Sequence, residues 1–308
     1  AIIPLLLFTT AITSCSKPAP QEPGDAPEKK QIALVMKSLA NEFFKTMEDG
    51  ARAHQAEHAD QYNLDCNGIK DEQDVNRQIE IVNQMIAKQA DAIVIAPADS
   101  KALIPVCKKA KGIVVINIDN KIDEAVLAQE NVSISFVGPN NRKGAKMGGD
   151  FLAKSLTSGD KVAILEGRPG AFNGIQRKLG FEDAMKEAGM EICSSQSANW
   201  EQQDAYDIAT QIHNKFGAEL KAVLCANDSM ALGAVQALKG TDVKIIGFDN
   251  ISAVQSLIKE GRILCTVDQH GDKIAAYGIE YALDVLETGG TPEDHETPVD
   301  LITAASLQ

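Results

Sequence analysis

Positive charge is scarce in this chain: 30 lysines and arginines stand against 43 aspartates and glutamates, a formal net charge of −13 over 308 residues. That balance excludes nucleic acid as a partner, because a face that binds phosphates needs a surplus of cations to displace counterions. It implies solubility and little more. Long apolar runs are lacking as well. The segment AIIPLLLFTTAITS, residues 1–14, is too short to span a bilayer, which takes about twenty residues. Cysteine is sparse, and apart from Cys15 the cysteines at 66, 107, 193, 225 and 265 are odd in number with no CxxC or CxxH spacing. That argues against a disulfide framework or a metal site. Most lie in or beside apolar runs (YNLDC, AVLCA, RILCT), where a buried thiol behaves as a small hydrophobe; a catalytic thiol is the weaker reading.

The opening segment is apolar with small residues at its end, the look of a secretory h-region and cleavage site, with a frayed apolar terminus as the plain alternative. Its last residues, ITSC, resemble a bacterial lipobox. That resemblance implies acylation of Cys15, which becomes the mature N-terminus, and two chains hold a protein on a membrane far better than one. Residues 16–30, SKPAPQEPGDAPEKK, carry prolines at 18, 20, 23 and 27 and no apolar face, and read as an extended tether.

From residue 32 short apolar runs alternate with longer helical periodicities. IALVM, DAIVIAP, GIVVINI, ISFVGP, KVAILEG, KAVLCAN and KIIGF read as strands. Their apolar residues run continuously, as in strands covered on both faces. Between them NEFFKTMEDGARAHQAEH, VNRQIEIVNQMIAKQ, GFEDAMKEAG and DSMALGAVQALKG have helical spacing. The alternation predicts an α/β fold with doubly wound parallel sheets.

The pattern also repeats. DAIVIAPADSKAL followed by VVINIDN resembles KAVLCANDSMALGAVQAL followed by KIIGFDN, with Asp99 to Asp119 spanning 20 residues and Asp228 to Asp249 spanning 21. Likewise IALVMKSLANEFF has a counterpart in KVAILEGRPGAFNGIQRKLGF. Two similar lobes are expected, with boundaries at 31–134 plus 268–292 for the first and 135–267 plus 293–308 for the second.

In such sheets ligands sit beyond the carboxyl ends of the strands. If the lobes face each other, Asp119 and Asp249 look into one cleft, together with Lys37, Asn41, Phe43, Phe44, Asn120, Asn173, Arg177, Trp200, Asn227, Phe248 and Gln269. Carboxylates, amides, a guanidinium fork and flat aromatic faces suit a sugar ring, whose hydroxyls donate and accept and whose C–H faces are apolar. Lys37 and Arg177 balance Asp119 and Asp249, which favours a neutral polyhydroxyl ligand over a uronate or sugar phosphate. Plainer readings stand beside these: Asp119, Asp249 and Asn41 as helix N-caps, the lone Trp200 as core, one of the adjacent Phe43 and Phe44 packing inward. GRPG at 167–170 lacks the Lys-Ser/Thr ending of a phosphate loop. DEQDVN at 71–76 has Val75 where a calcium ligand belongs and no glycine at its sixth place, so it reads as a loop and helix cap. No metal or cofactor is expected.

From about Gln31 to the C-terminus the segments IALVMKSLANEFF, GIVVINIDNKID, NWEQQDA, CANDSMALGA, IIGFDN and TVDQHGDKIA together resemble the periplasmic sugar-binding proteins of ABC importers, ribose-binding group, with the type I periplasmic binding protein fold. Lys37, LEGRPG and Trp200 make it similar to the D-allose binders within that group. The resemblance implies that Asn41, Asp119, Arg177, Asn227, Asp249 and Gln269 hydrogen-bond ring hydroxyls. It implies that Lys37 reaches an oxygen at the rim, and that Phe44 and Trp200 sandwich the ring with Phe43 and Phe248 in support. This chain departs at Glu42, where relatives usually have proline, and at Asn120, where a charged residue follows the aspartate; a hexose, a pentose or a cyclic polyol such as inositol stays open. The resemblance further implies a three-strand hinge near 133–139, 264–269 and 291–297, a monomeric protein outside the cytoplasm or at the cell surface, and delivery to an ABC permease and its ATPase. A receptor module for a sugar or furanone, signalling to a chemotaxis or kinase partner, is the alternative. A sugar-responsive repressor would begin with a helix-turn-helix where this chain has a signal segment and tether. An enzyme would need a base with a nucleophile or metal, which the cleft residues do not offer.

Overall fold

The computed structural model describes residues 28–290 and 293–308. The signal segment, Cys15 and the tether as far as residue 27 lie outside the described residues, as do 291 and 292 at the start of the third expected hinge segment.

The first lobe runs β1 (Lys30–Ser38), α1 (Glu42–Glu57), β2 (Tyr62–Ile69), α2 (Val75–Ala87), β3 (Ala92–Ile95), α3 (Ile104–Cys107), β4 (Val114–Ile118), α4 (Glu124–Gln129) and β5 (Ser135–Pro139). The second runs α5 (Asn141–Ala153), β6 (Lys161–Glu166), α6 (Phe172–Glu187), β7 (Glu191–Ser197), α7 (Gln202–Phe216), β8 (Leu220–Cys225), α8 (Asp228–Ala237), β9 (Lys244–Ile246), α9 (Ser252–Lys259) and β10 (Cys265–Asp268). Then α10 (Gly271–Thr288) returns to pack on α1, β3 and β4, while β11 (His295–Thr297) joins the first sheet and β12 (Asp300–Thr303) the second.

The two sheets have the same strand order. The first is β11-β5-β4-β3-β1-β2 and the second β12-β10-β9-β8-β6-β7, so β1 to β5 correspond one by one to β6 to β10. All pairs are parallel except β10 with β12. The continuously apolar runs form the centre: Ile32 to Met36, Ala92 to Ile95 and Val162 to Leu165 are buried from end to end, because helices cover both faces. Burying each Val, Leu, Ile or Met side chain among them contributes roughly 1.5–3 kcal/mol.

The lobe boundaries need correction at two places. β5 pairs with β4 (Ile116 opposite Ser135), and β11 pairs with β5 (His295 opposite Val137). Both strands therefore belong to the first sheet, and the chain crosses between lobes after Pro139 and after Thr297, one strand later than 134/135 and 292/293. The remaining crossing lies between Asp268 and Gly271. β1 begins at Lys30, inside the stretch read as tether, because its backbone pairs with Tyr62. Among the described residues no helix is long and apolar enough to cross a membrane. The five cysteines described are free thiols. Burial pushes Cys66 up to about 11 and Cys107 and Cys265 up to about 12, so they pack as inert small side chains.

Candidate functional site

The carboxyl ends of both sheets meet across one cleft, and the repeat explains how. Asp119 follows β4 and Asp249 follows β9, at equivalent places in the two lobes. Each donates its backbone N–H to the next strand: Asp119 to the Val137 carbonyl of β5 at 3.3 Å, Asp249 to the Val267 carbonyl of β10 at 2.8 Å. Both have positive φ, 61° and 127°, as does Asn250 at 65°. Non-glycine residues hold that backbone only where the surroundings enforce it, commonly at functional sites. Neither aspartate is a helix N-cap: α4 is capped by Asp123, and α9 starts from Ile251 without a side-chain cap.

The loop carrying Asp249 is shaped by a second buried carboxylate. Asp228 accepts from the Thr266 hydroxyl at 2.7 Å and the Ile251 N–H at 2.9 Å. It lies so close to Gly247 that a Cβ there would sit 2.1 Å from its oxygen. Burial raises the Asp228 carboxyl to about 6 against the pull of these donors.

The cleft is lined by Lys37, Asn41, Phe43, Phe44, Glu72, Asp119, Asn173, Arg177, Trp200, Asn227, Asp249 and Gln269. Arg177, from the middle of α6, is 2% exposed. Its Nε donates to Asn141 at 2.8 Å, its Nη1 donates to the Ala226 carbonyl at 2.9 Å and lies 3.3 Å from Asp249, and its guanidinium carbon stacks 3.8 Å from the Phe248 ring centre. The Gln269 amide donates to Asp249 at 2.6 Å. Lys37 lies 2.9 Å from Asp119 and 3.5 Å from Glu72. Burial pulls the Lys37 ammonium down, but Asp119 and Glu72 more than offset it, and the group ends above the ordinary lysine value. Burial likewise raises the Asp249 carboxyl well above the carboxylate range, with Arg177 opposing.

Two aromatic faces flank the charged groups. Phe44 lies 5.3 Å and Trp200 5.9 Å from the Lys37 ammonium, measured to the ring centres. Trp200 takes a left-handed backbone (φ 70°) and is almost fully buried. Its ring fits only because residues 167 and 174 are glycine: a Cβ at Gly167 would lie 2.1 Å from the indole and one at Gly174 3.0 Å. Phe43 packs edge-on against Phe44 at 5.2 Å. Asn41 and Asn227 cap α1 and α8 as well as lining the cleft, accepting from Phe43 N and Met230 N.

Two expected residues stand behind the wall. Asn120 donates to the Pro97 carbonyl at 2.8 Å and accepts from Asn173 N at 3.1 Å, which uses its side chain to join the lobes and leaves it off the cleft. Phe248 is fully buried beneath Arg177 and meets the cleft only through that stack. One residue enters unforeseen: Glu72, 3% exposed, from the loop after β2. The calcium-like stretch does supply a cap, Asp74 accepting from Arg77 N, but its glutamate turns inward. With Glu72 counted, three carboxylates face two cations, and the even charge balance read from the sequence is revised.

The lobes are closed on each other by direct contacts. Ser100 N donates to the Gly170 carbonyl (3.1 Å), Phe172 N donates to the Ser100 hydroxyl (3.0 Å), and Arg168 donates to the Ala98 carbonyl (2.9 Å). On the other side of the cleft Glu42 accepts from Ser252. Inside, Arg177 Nη2, Gln269 Oε1 and Trp200 Nε1 are buried with no hydrogen-bond partner among the described residues. Buried polar groups in folded proteins are nearly always satisfied. The cleft thus holds unpartnered donors and an acceptor on residues that line it together with the rings of Phe44 and Trp200.

Residues 32–291 match the family model described as a periplasmic binding protein domain. The chain is 52% identical to the D-ribose/D-allose-binding protein of Pseudomonas aeruginosa, over 97% of each chain. Its structure is similar to that of an ABC transporter solute-binding protein from Burkholderia multivorans, holding an unknown ligand represented as α-D-erythrofuranose. That match has a TM-score of 0.87 and 51% identity, covering 90% of this chain and 100% of the other. It is also similar to a periplasmic solute-binding protein of an ABC transporter from Actinobacillus succinogenes with bound D-allose, with a TM-score of 0.85 and 33% identity over 91% of this chain and 99% of that one.

Proposed function

We infer, since this chain belongs to the periplasmic binding protein family, that its cleft captures one neutral monosaccharide or cyclic polyol outside the cytoplasm and that the closed form delivers it to an ABC permease and its ATPase. The observation that carries this reading is the pair of spare hydrogen-bonding atoms, Arg177 Nη2 and Gln269 Oε1, on residues of a cleft that both lobes line and that Phe44 and Trp200 also line. A polyol satisfies such a set, since each hydroxyl donates once and accepts twice. In this reading Asn41, Asp119, Arg177, Asn227, Asp249 and Gln269 bond ring hydroxyls, Lys37 reaches an oxygen at the rim, and Phe44 and Trp200 cover the two C–H faces with Phe43 in support.

Capture works by differential binding. Ligand held by one lobe gains contacts with the other only when the cleft shuts, so it shifts the population to the closed form. Each neutral hydroxyl contact adds about 0.5–1.5 kcal/mol net, and contacts to charged partners somewhat more. The closed form then presents both lobes together to the permease. Acylation of Cys15 would keep the protein at the membrane, and mass spectrometry of the mature N-terminal peptide tests that part.

A thermal-shift screen against neutral aldoses, ketoses, polyols and their acidic counterparts tests the whole, because a ligand selective for the folded state raises its melting point. A large shift with one or two neutral hexoses, pentoses or cyclitols is expected. Shifts with acidic sugars alone would overturn the assignment.

A further inference from the structure

We infer that Glu72 is the positioning residue that holds Lys37 toward the ligand and makes the cleft reject anionic sugars; this rests on the sugar-binding reading and narrows it to a substrate class.

The internal repeat places the residue. β2 and β7 are equivalent edge strands, ending at Ile69 and Ser197. Three residues beyond those ends come Glu72 and Trp200, and both line the cleft. The second lobe thus puts an aromatic face where the first puts a carboxylate. Glu72 is not occupied in building the fold around it, since α2 is capped by Asp74 and Glu72 Oε2 has no hydrogen-bond partner among the described residues. Its nearest cation is Lys37, 3.5 Å away.

An ammonium carries three donors. Asp119 at 2.9 Å is within hydrogen-bond reach and Glu72 at 3.5 Å pairs with the charge without a hydrogen bond, so donors remain for the ligand while a flexible side chain is held in one place. The charge count then sets the class of ligand. Lys37 and Arg177 face Glu72, Asp119 and Asp249, all nearly fully buried. A carboxylate or phosphate on the ligand would add a further acidic group to a buried set in which three carboxyl side chains already face two basic ones, so its charge would be desolvated among groups that already compete for the same two cations. Without Glu72 two carboxyl side chains face two basic ones, and Arg177 Nη2, which has no partner among the described residues, could pair with an acidic ligand with one fewer carboxyl opposing it.

The experiment uses the variants Glu72→Gln and Glu72→Asp with an isosteric pair of probes, D-allose and D-alluronate, read by titration calorimetry. Removing the charge in Glu72→Gln should weaken D-allose several-fold and raise the uronate-to-allose affinity ratio by about tenfold, a typical loss of one charge-pair discrimination. Glu72→Asp keeps the charge and should keep the ratio. An unchanged ratio in Glu72→Gln overturns the inference. A second readout needs no sugar: melting temperatures of Glu72→Gln, Lys37→Met and the double variant form a double-mutant cycle. Coupled effects support the pairing, and strictly additive ones overturn it. Coupling in a protein that no sugar stabilises would leave the Lys37–Glu72 pairing standing and sink the sugar-binding reading instead.

Discussion

Glu42 opens α1 in one lobe and Ser252 opens α9 in the other, and across the cleft the Glu42 carboxylate accepts from both the backbone N–H of Ser252, at 3.0 Å, and its hydroxyl. Because α9 has no side-chain cap of its own, Glu42 supplies one from the opposite lobe. The contact joins the two lobes directly. Replacing Glu42 with Ala should therefore favour the open form by about 1 kcal/mol and raise the sugar dissociation constant roughly five-fold, mostly through faster release. Stopped-flow release from wild type and variant checks it, and equal rates would mean that the contact contributes nothing to closure.

Trp200 is the single tryptophan and lines the cleft, so its emission should report ligand directly. Saturable quenching or a shift of the emission maximum is expected with any sugar that raises the melting point. Gly167→Ala should remove this signal, because the new Cβ would fall 2.1 Å from the indole and displace it, with a stability loss of about 1–3 kcal/mol from overpacking. A variant that binds as wild type does would show that the ring takes no part.

Asp228 makes stability depend on pH in an unusual direction. Its carboxyl is raised from 3.8 to about 6 by burial, so the native state keeps a proton over a range where the unfolded chain has lost it. Stability from that group is full below about pH 4 and falls as pH rises through about 6, by at most about 1.4 kcal/mol for each pH unit crossed. Glu72 and Asp249 are displaced the same way. Asp65, Asp123 and Asp183 are displaced downward and act below pH 4. Denaturant unfolding at pH 4, 5, 6 and 7 should show wild type losing stability across this range and Asp228→Asn losing less. Parallel curves would refute the assignment.

What the sequence made legible follows burial. β1, β3, β4, β6, β8 and β9 are central strands, continuously apolar because both faces are covered, and they stood out. β2 and β7 are edge strands with mixed exposure, YNLDCNGI and EICSSQS; YNLDC opens as an apolar run, but their half-polar composition keeps both from reading as strands. Glu72 was lost with β2, since a loop cannot be placed at the cleft when the strand before it is unseen. The repeat held the missing signal: Trp200 was already assigned to the cleft, and its counterpart three residues after the matching strand is Glu72. Asp119 and Asp249 were legible as strand-end aspartates, but their left-handed backbone was not. Asn120 was misplaced for a related reason. After the positive φ of Asp119 its side chain turns away from the cleft and toward Asn173, a reversal that residue types do not encode.

The most direct test of sugar capture between the lobes is titration calorimetry of the protein with D-allose, D-ribose and myo-inositol, beside the Asp249→Ala variant. Asp249 pairs with Arg177 and accepts from Gln269 in the lining of the cleft. One site per chain is predicted for at least one of these neutral ligands, with no measurable binding in the variant, which should still unfold cooperatively. Undiminished binding in Asp249→Ala would contradict that capture, because the ligand would then sit somewhere other than between the two lobes.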